Sequence, residues 1–319
     1  MLTIKSLLTL AALAAQVQQT DIRQDVDDCR SDNFALRIVA CTRLAENVRL
    51  LPEQRAFVLS ERGFAREMMH DAEGALADYD AALKIAPRSS YAYFSRGKLY
   101  QRNGELERSV ADFDEAIRID PDSPVVLSER GRSRHMMGES RRALADLDRA
   151  IELRLGVAYI HRYRGDVHRT SQDNDRAIAD YNEAIRIEPG EPSAYAARAV
   201  AHQQKGDHDR AIADLSEHLR LNPQSDWGYS LRAASHRAKG NLDLAIADYS
   251  DVIRLKPDTF PVFLDRGLAY REKGEREHAI ADLREAMKRY PGYQVKALRE
   301  LQALGAETEK KPGVLDLLR

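Results

Sequence analysis

The sequence predicts an all-α solenoid, and three observations carry that prediction. One set of residue types recurs every 34 residues, seven times without slippage, from residue 56 onward. Self-similarity at such a period marks a stack of supersecondary units, each leaving an apolar face for its neighbour to cover. Hydrophobic residues make up 43% of the chain with only 17 Gly and 11 Pro, which argues against disorder. Lys and Arg total 49 against 51 for Asp and Glu, a formal charge of −2, so overall charge gives no reason to expect a nucleic-acid partner.

Taken from the N-terminus, residues 1–14 stand apart. Met1 to Lys5 brings one positive charge, Ser6 to Ala15 is an uncharged apolar run, and Ala12-Leu13-Ala14 has the small-x-small form of a cleavage site. This is the layout of a signal peptide. A spanning helix needs roughly twenty apolar residues, so no stable membrane insertion is expected once the signal is removed. A plain apolar helix is the alternative. The expectation is an exported chain, periplasmic or secreted.

The units run over 56–291, nominally 56–89, 90–123, 124–157, 158–191, 192–225, 226–259 and 260–293. Counted from each start, position 8 is Gly63, Gly97, Gly131, Gly165, Ala199, Ala233 or Gly267. Position 20 is Ala75, Ser109, Ala143, Ala177, Ala211, Ala245 or Ala279, and position 24 is Tyr79, Phe113, Leu147, Tyr181, Leu215, Tyr249 or Leu283. Proline closes every unit at position 32 except the third, which has Leu155. Gly104, Gly138, Gly206, Gly240 and Gly274 at position 15 suit a left-handed helix end. The residues that follow, Asp71, Glu105, Glu139, Asp173, Asp207, Asn241 and Glu275, suit the start of the next helix.

On these residues the chain resembles the tetratricopeptide repeat family over about three quarters of its length. The resemblance implies a right-handed superhelical solenoid of antiparallel helix pairs. Small residues at positions 8 and 20 would let the two helices approach, while position 24 supplies bulk.

Two positions depart from the family pattern. Position 7 is Arg62, Arg96, Arg130, Arg164, Arg198, Arg232 and Arg266; position 23 is Asp78, Asp112, Asp146, Asp180, Asp214, Asp248 and Asp282. Opposite charges in every copy suggest a structural Arg–Asp pair, the fork of Arg matching the carboxylate. Spacing leaves open whether the pair forms within or between units. A stripe of arginines binding anions would leave the aspartates unexplained.

Stepping back 34 residues from Gly63 and Ala75 lands on Cys29 and Cys41. The cysteines therefore hold positions 8 and 20 of a degenerate capping unit within 15–55, where the two helices come closest. In an exported chain they are expected to form a disulfide worth on the order of 2–3 kcal/mol. Two buried thiols in a cytosolic protein are the alternative. Residues 292–305 read as a C-terminal capping helix and 306–319 as a tail.

No H-E-x-x-H, G-x-S-x-G, G-x-G-x-x-G or P-loop motif occurs, so no catalytic residue, metal or cofactor is expected and the chain reads as a non-enzyme. His168, His202 and His236 share position 11, but units stacked about 10 Å apart cannot bring them to one ion.

In the family, positions 2, 5, 9, 12 and 13 of the first helix line the concave face. Here that face carries Phe57, Tyr91, Phe94, Tyr159 and Trp227, with Lys98, Arg132, Arg169, Arg237 and Arg271 as cationic points and Gln101, His135 and Gln203 between them. Aromatics and Arg dominate interface energetics. The expected function is a protein-interaction scaffold gripping an extended partner segment with apolar and acidic side chains. Ordinary solvated helix faces are the plainer alternative. From another class, an envelope glycan or small-ligand binder, or an accessory subunit of an enzyme, would use the same rings on a sugar.

Overall fold

A computed structural model describes residues 20–47, 50–153, 156–258 and 261–306. The segment read as a signal peptide lies outside them, as does the tail beyond Ala306. Among the described residues there are seventeen α-helices, one 3-10 turn and no strand. Helices α1 (Thr20–Asp28) and α2 (Phe34–Glu46) come first. Seven pairs follow: α3 (Pro52–Met68) with α4 (Ala72–Ile85), α5 (Ser90–Arg102) with α6 (Leu106–Ile119), and α7 (Pro124–Met136) with α8 (Ser140–Leu153). Then come α9 (Ala158–Thr170) with α10 (Asn174–Ile187), and α11 (Pro192–Gln204) with α12 (His208–Leu221). The last two pairs are α13 (Asp226–Ala238) with α14 (Leu242–Leu255), and α15 (Val262–Lys273) with α16 (Arg276–Arg289). The turn Pro291–Tyr293 leads into α17 (Gln294–Ala303). The chain divides into two compact units, 1–156 and 157–319.

Each hairpin turns on a left-handed residue at position 15. Gly104, Gly138, Gly206, Gly240 and Gly274 hold it, but so do His70 and Gln172 at φ 64°, where a side chain is strained. The next residue caps the second helix where it is aspartate. Asp71, Asp173 and Asp207 accept from the backbone N–H groups of Gly74, Arg176 and Arg210, whereas Glu105, Asn241 and Glu275 make no such bond. Helix α3 begins at Pro52, before the nominal start at 56, because proline opens a helix well and Gln54 accepts from the Leu51 N–H at 3.0 Å.

Position 8 is small chiefly because the position-24 side chain packs on it. A Cβ at Gly165 would lie 2.6 Å from Tyr181 Cε1, and one at Gly63 2.7 Å from Tyr79 Cε1. The position-24 residues Tyr79, Phe113, Leu147, Tyr181, Leu215 and Leu283 are wholly buried.

The Arg–Asp pairs form within the hairpin. Arg62 Nε and Nη2 donate to Asp78 at 2.9 and 2.5 Å. Arg96, Arg130, Arg164, Arg198, Arg232 and Arg266 donate in the same way to Asp112, Asp146, Asp180, Asp214, Asp248 and Asp282. The remaining Nη1 reaches back to position 25 of the preceding hairpin in five cases. The acceptors are Asp80, Asp114, Asn182, Ser216 and Ser250; Arg62 reaches Thr42 on α2 instead. One guanidinium therefore closes its own hairpin and stitches it to the one before.

Cys29 and Cys41 are joined by a disulfide, Cα atoms 5.0 Å apart, and both are fully buried. It links α1 to α2 in the cluster that also holds Val26, Leu44, Phe57 and Val58. At the other end α17 buries Ala297, Leu298 and Leu301.

Candidate partner-binding face

In the N-terminal unit the first helices of successive pairs, α3 and α5, present their side chains together. Phe57 stacks on Tyr91, ring centroids 5.2 Å apart, and the Tyr91 hydroxyl donates to Glu61 Oε1 at 2.5 Å. Phe94 packs at 6.0 Å from Phe113. Lys98 Nζ lies 2.6 Å from Glu129 Oε1 on α7. Tyr91, Phe94, Ser95, Lys98 and Arg102 of α5 enclose a cavity of about 430 Å³ with Glu61, Phe64 and Glu67 of α3, Tyr79 of α4 and Arg37 of α2. Phe57 lies behind Tyr91. Arg132 lies outside the lining, its Nη1 3.3 Å from Gln101 Oε1 and 3.7 Å from Glu129.

Burial disturbs the ionisable groups that line the cavity. Burial pushes the Glu61 carboxyl above its ordinary range, against the Tyr91 hydrogen bond and the Arg37 charge. Burial does the same to Glu67, against Arg102, while the Tyr79 hydroxyl donates to Glu67 Oε2 at 3.3 Å. The Tyr91 phenol is held well above its ordinary value by burial and then by Glu61. Lys98 is pushed down by burial, against the attraction of Glu129. Each shift has desolvation as its largest cause, with an ionic or hydroxyl partner in place. Such a pocket offers aromatic walls and hydrogen-bonding edges while exposing little free charge.

The predicted residues of the C-terminal unit are spread over three pairs. Tyr159 meets Tyr163 edge-on at 5.6 Å. Arg169 Nε donates to the Tyr181 hydroxyl at 3.3 Å. Trp227 is 51% exposed, edge-on to His218 at 6.2 Å. Arg237 makes a two-pronged ion pair with Glu272, closest approach 2.6 Å, and Arg271 pairs with Glu300 on α17. Gln101 and Gln203 bridge to the next first helix, Gln101 through Glu129 O and Ser133 Oγ and Gln203 through Leu231 O and Ser235 Oγ. Lys98, Arg132, Arg237 and Arg271 thus face carboxylates of their own chain. That removes the reason to expect acidic side chains in the partner.

Of the predicted face, Tyr91, Phe94 and Lys98 come together in the cavity. Phe64, Glu67 and Arg102 sit at positions 9, 12 and 13, on the mapped stripe, and were legible there. Glu61, at position 6, and Arg37, in the degenerate cap, gave no signal. His168 and His202 each lie beside an aspartate of their own hairpin, 3.8 Å from Asp180 and 4.0 Å from Asp214. Among the described residues no group of three or more His, Cys, Asp or Glu could hold a metal ion, and no helix is long and apolar enough to cross a membrane.

This succession of stitched helix pairs defines an α-helical hairpin-repeat protein. A TPR repeat model matches residues 165–206, and a tetratricopeptide repeat model matches 69–124, 196–260 and 230–294, together more than half of the chain. The chain belongs to the tetratricopeptide repeat family, a family of protein-interaction scaffolds. Among solved structures it is similar to a tetratricopeptide repeat protein from Parabacteroides merdae ATCC 43184, at 20% identity and TM-score 0.57, over 78% of this chain and 98% of that one. YrrB, a TPR protein with an unusual peptide-binding site, matches at 21% identity and TM-score 0.52, over 60% of this chain and 97% of that one. The APC/C hetero-tetramer Cut9-Hcn1 matches at 16% identity and TM-score 0.64, over 92% of this chain and 58% of that one. At these identities the likeness is one of fold. Comparison with curated proteins finds no match.

Proposed function

We propose that the chain is an exported, non-catalytic scaffold that docks a partner segment along its first-helix faces, anchored in the cavity around Tyr91 and Phe94. The cavity carries the reading. Its volume of about 430 Å³ is enough for a large side chain, and its walls are the rings of Phe64, Tyr79, Tyr91 and Phe94. A desolvated aromatic pocket is where interface energy concentrates. Since its ionic groups are paired within the chain, the anchor it suits is an aromatic or aliphatic side chain with a hydrogen-bonding edge. YrrB, described by its peptide-binding site, supports this at the level of fold. Export is supported by the N-terminal apolar run and agrees with a disulfide.

The test is capture from an envelope extract by the immobilised chain from residue 15. The control bait carries Phe64→Ala and Phe94→Ala and is checked for folding by circular dichroism. A protein held by the first bait and lost by the second supports the reading; equal capture by both refutes it. Trp227, half exposed on α13, favours a second reading in which a sugar ring stacks on the indole. Glycan-array binding abolished by Trp227→Ala would establish it.

A further inference from the structure

We propose that the disulfide-tied cap is a wall of the partner-binding cavity, so that the cavity is complete only when Cys29 and Cys41 are oxidised. The inference rests on the cavity being the partner anchor.

Two routes lead from the disulfide to Glu61. In the first, Cys29 and Cys41 share a buried cluster with Val26, Leu44, Phe57 and Val58, and Tyr91 packs against it. Phe57 stacks on Tyr91, whose hydroxyl donates to Glu61. In the second, the turn directly after Cys29 offers the carbonyls of Arg30 and Ser31 to Arg37, which donates to them from Nη2 and Nε, each at 3.0 Å. This fixes the guanidinium over the rings of Phe34 and Phe64, at 5.9 and 5.6 Å, with Nη1 3.6 Å from Glu61 Oε2. Arg37, Glu61 and Tyr91 all line the cavity.

Without the covalent link little else fastens α1. It has nine residues, of which only Ile22 and Val26 are large and apolar, and helices that short are marginal alone. Its ion pair from Asp25 to Arg43 is largely exposed on the Arg43 side and adds little. Once α1 leaves, the Arg30–Ser31 turn has no fixed position, Arg37 loses two acceptors, and one face of the Phe57–Tyr91 stack opens to water. Reduction breaks the S–S bond, takes up two electrons and two protons, and yields two thiols; the donor is a dithiol that closes to its own cyclic disulfide. Both sulfurs are buried, so the unlinked state belongs chiefly to chains not yet oxidised.

Nitration by tetranitromethane, which attacks the phenolate, reads the cavity without a ligand. Tyr91 is shielded by burial and by its bond to Glu61. In the full-length chain, Cys29→Ala with Cys41→Ala should raise the Tyr91 rate about tenfold or more, with Tyr181 and Tyr249 unchanged, as local opening requires. An unchanged Tyr91 rate while amides 20–47 exchange freely would overturn the proposal. A uniform rise at all three tyrosines would overturn it too, since the disulfide would then serve global stability. Should the double variant not fold, Arg37→Gln with the disulfide intact carries the test. It should raise the Tyr91 rate about threefold, because the cap's contact with Glu61, the acceptor of the Tyr91 hydroxyl, is lost, and no rise overturns the proposal. No partner enters these measurements, so their failure leaves the capture experiment standing, and failed capture leaves them standing.

Discussion

Asp180→Ala should unfold the C-terminal unit at a markedly lower temperature. Asp180 on α10 receives Arg164 Nε at 3.0 Å and Nη2 at 2.7 Å, with His161 Nδ1 at 3.6 Å and His168 Nε2 at 3.8 Å. The carboxylate side chain is 6% exposed and that of Arg164 26%. Burial works to raise the Asp180 carboxyl, but the neighbouring His161 ring and the hydrogen bonds and charge of Arg164 hold it below its ordinary 3.8. Alanine leaves the guanidinium with two donors aimed at nothing. One-sided removal of a buried pair costs about 3–5 kcal/mol. A quarter of Arg164 reaches water, which recovers part of that, so about 2–4 kcal/mol is expected. At roughly 2–4 °C per kcal/mol for a unit of this size, the melting temperature should fall by about 4–16 °C. Calorimetry and far-ultraviolet circular dichroism would measure it. Because the folded carboxyl is depressed, its contribution is full above the unfolded value and is lost as pH falls through the folded one. The gap between wild type and variant should therefore close below about pH 4. Replacing both partners, Arg164→Leu with Asp180→Leu, should cost less than Asp180→Ala alone. A shift under about 1 °C at neutral pH, or a gap that ignores pH, would refute the argument.

Three other perturbations follow from the same geometry. Gly165→Ala forces a Cβ to 2.6 Å from Tyr181 Cε1 and should cost about 1–3 kcal/mol in urea unfolding; adding Tyr181→Leu should recover much of it, as Ala199 and Leu215 coexist one hairpin on. Gln172→Gly relieves a left-handed residue at φ 64° and should raise the denaturation midpoint by the equivalent of about 0.5–1 kcal/mol; a fall would show that the turn is not strained. Burial holds His202 and His236 below their ordinary 6.5. The unfolded chain then binds protons the fold does not, so stability falls as pH drops through that value. His202→Gln with His236→Gln should flatten this slope, and an identical slope would refute the assignment.

What the sequence reveals and what it hides divide along a physical line. Positions 8, 20, 24 and 32 are legible because hairpin packing dictates residue size at each, as Gly165 under Tyr181 shows. Arg at 7 and Asp at 23 are legible as a pair, yet their partner choice is not: Asp78 is 16 residues from Arg62 and 18 from Arg96, and only the fold decides. The reach of Nη1 to position 25 leaves almost no trace, since Asp80, Asn182 and Ser216 all serve as short acceptors. In the candidate site, Tyr91, Phe94 and Lys98 follow from the stripe. Arg37 does not, because its place depends on a turn held by a disulfide. The pairing of Arg237 and Arg271 is not legible either, because their partners Glu272 and Glu300 lie 35 and 29 residues away, on the next helix layer.

The variable acceptor at position 25 also allows the stitching between hairpins to be strengthened. Arg96 and Arg130 reach Asp80 and Asp114 at 2.6 Å, whereas Arg232 reaches only the Ser216 hydroxyl, at 3.2 Å. The arginines are about equally sheltered, 20% and 15% exposed against 22%, so the geometry that accepts aspartate earlier in the chain should accept it here. Ser216→Asp replaces the neutral acceptor of the Arg232 guanidinium with a charged one and so makes an ion pair. It adds no buried charge without a partner, because its counterparts Asp80 and Asp114 are half exposed. That same exposure limits the gain to about 0.2–1 kcal/mol. The gain should shrink as salt is raised, since the new pair is screened while the Arg232–Asp248 pair beneath it is better sheltered. Denaturant unfolding of wild type and Ser216→Asp at low and high salt measures both effects. A destabilised variant, or a gain indifferent to salt, would show that Arg232 is already saturated by Asp248 and that the reach to the preceding hairpin is incidental.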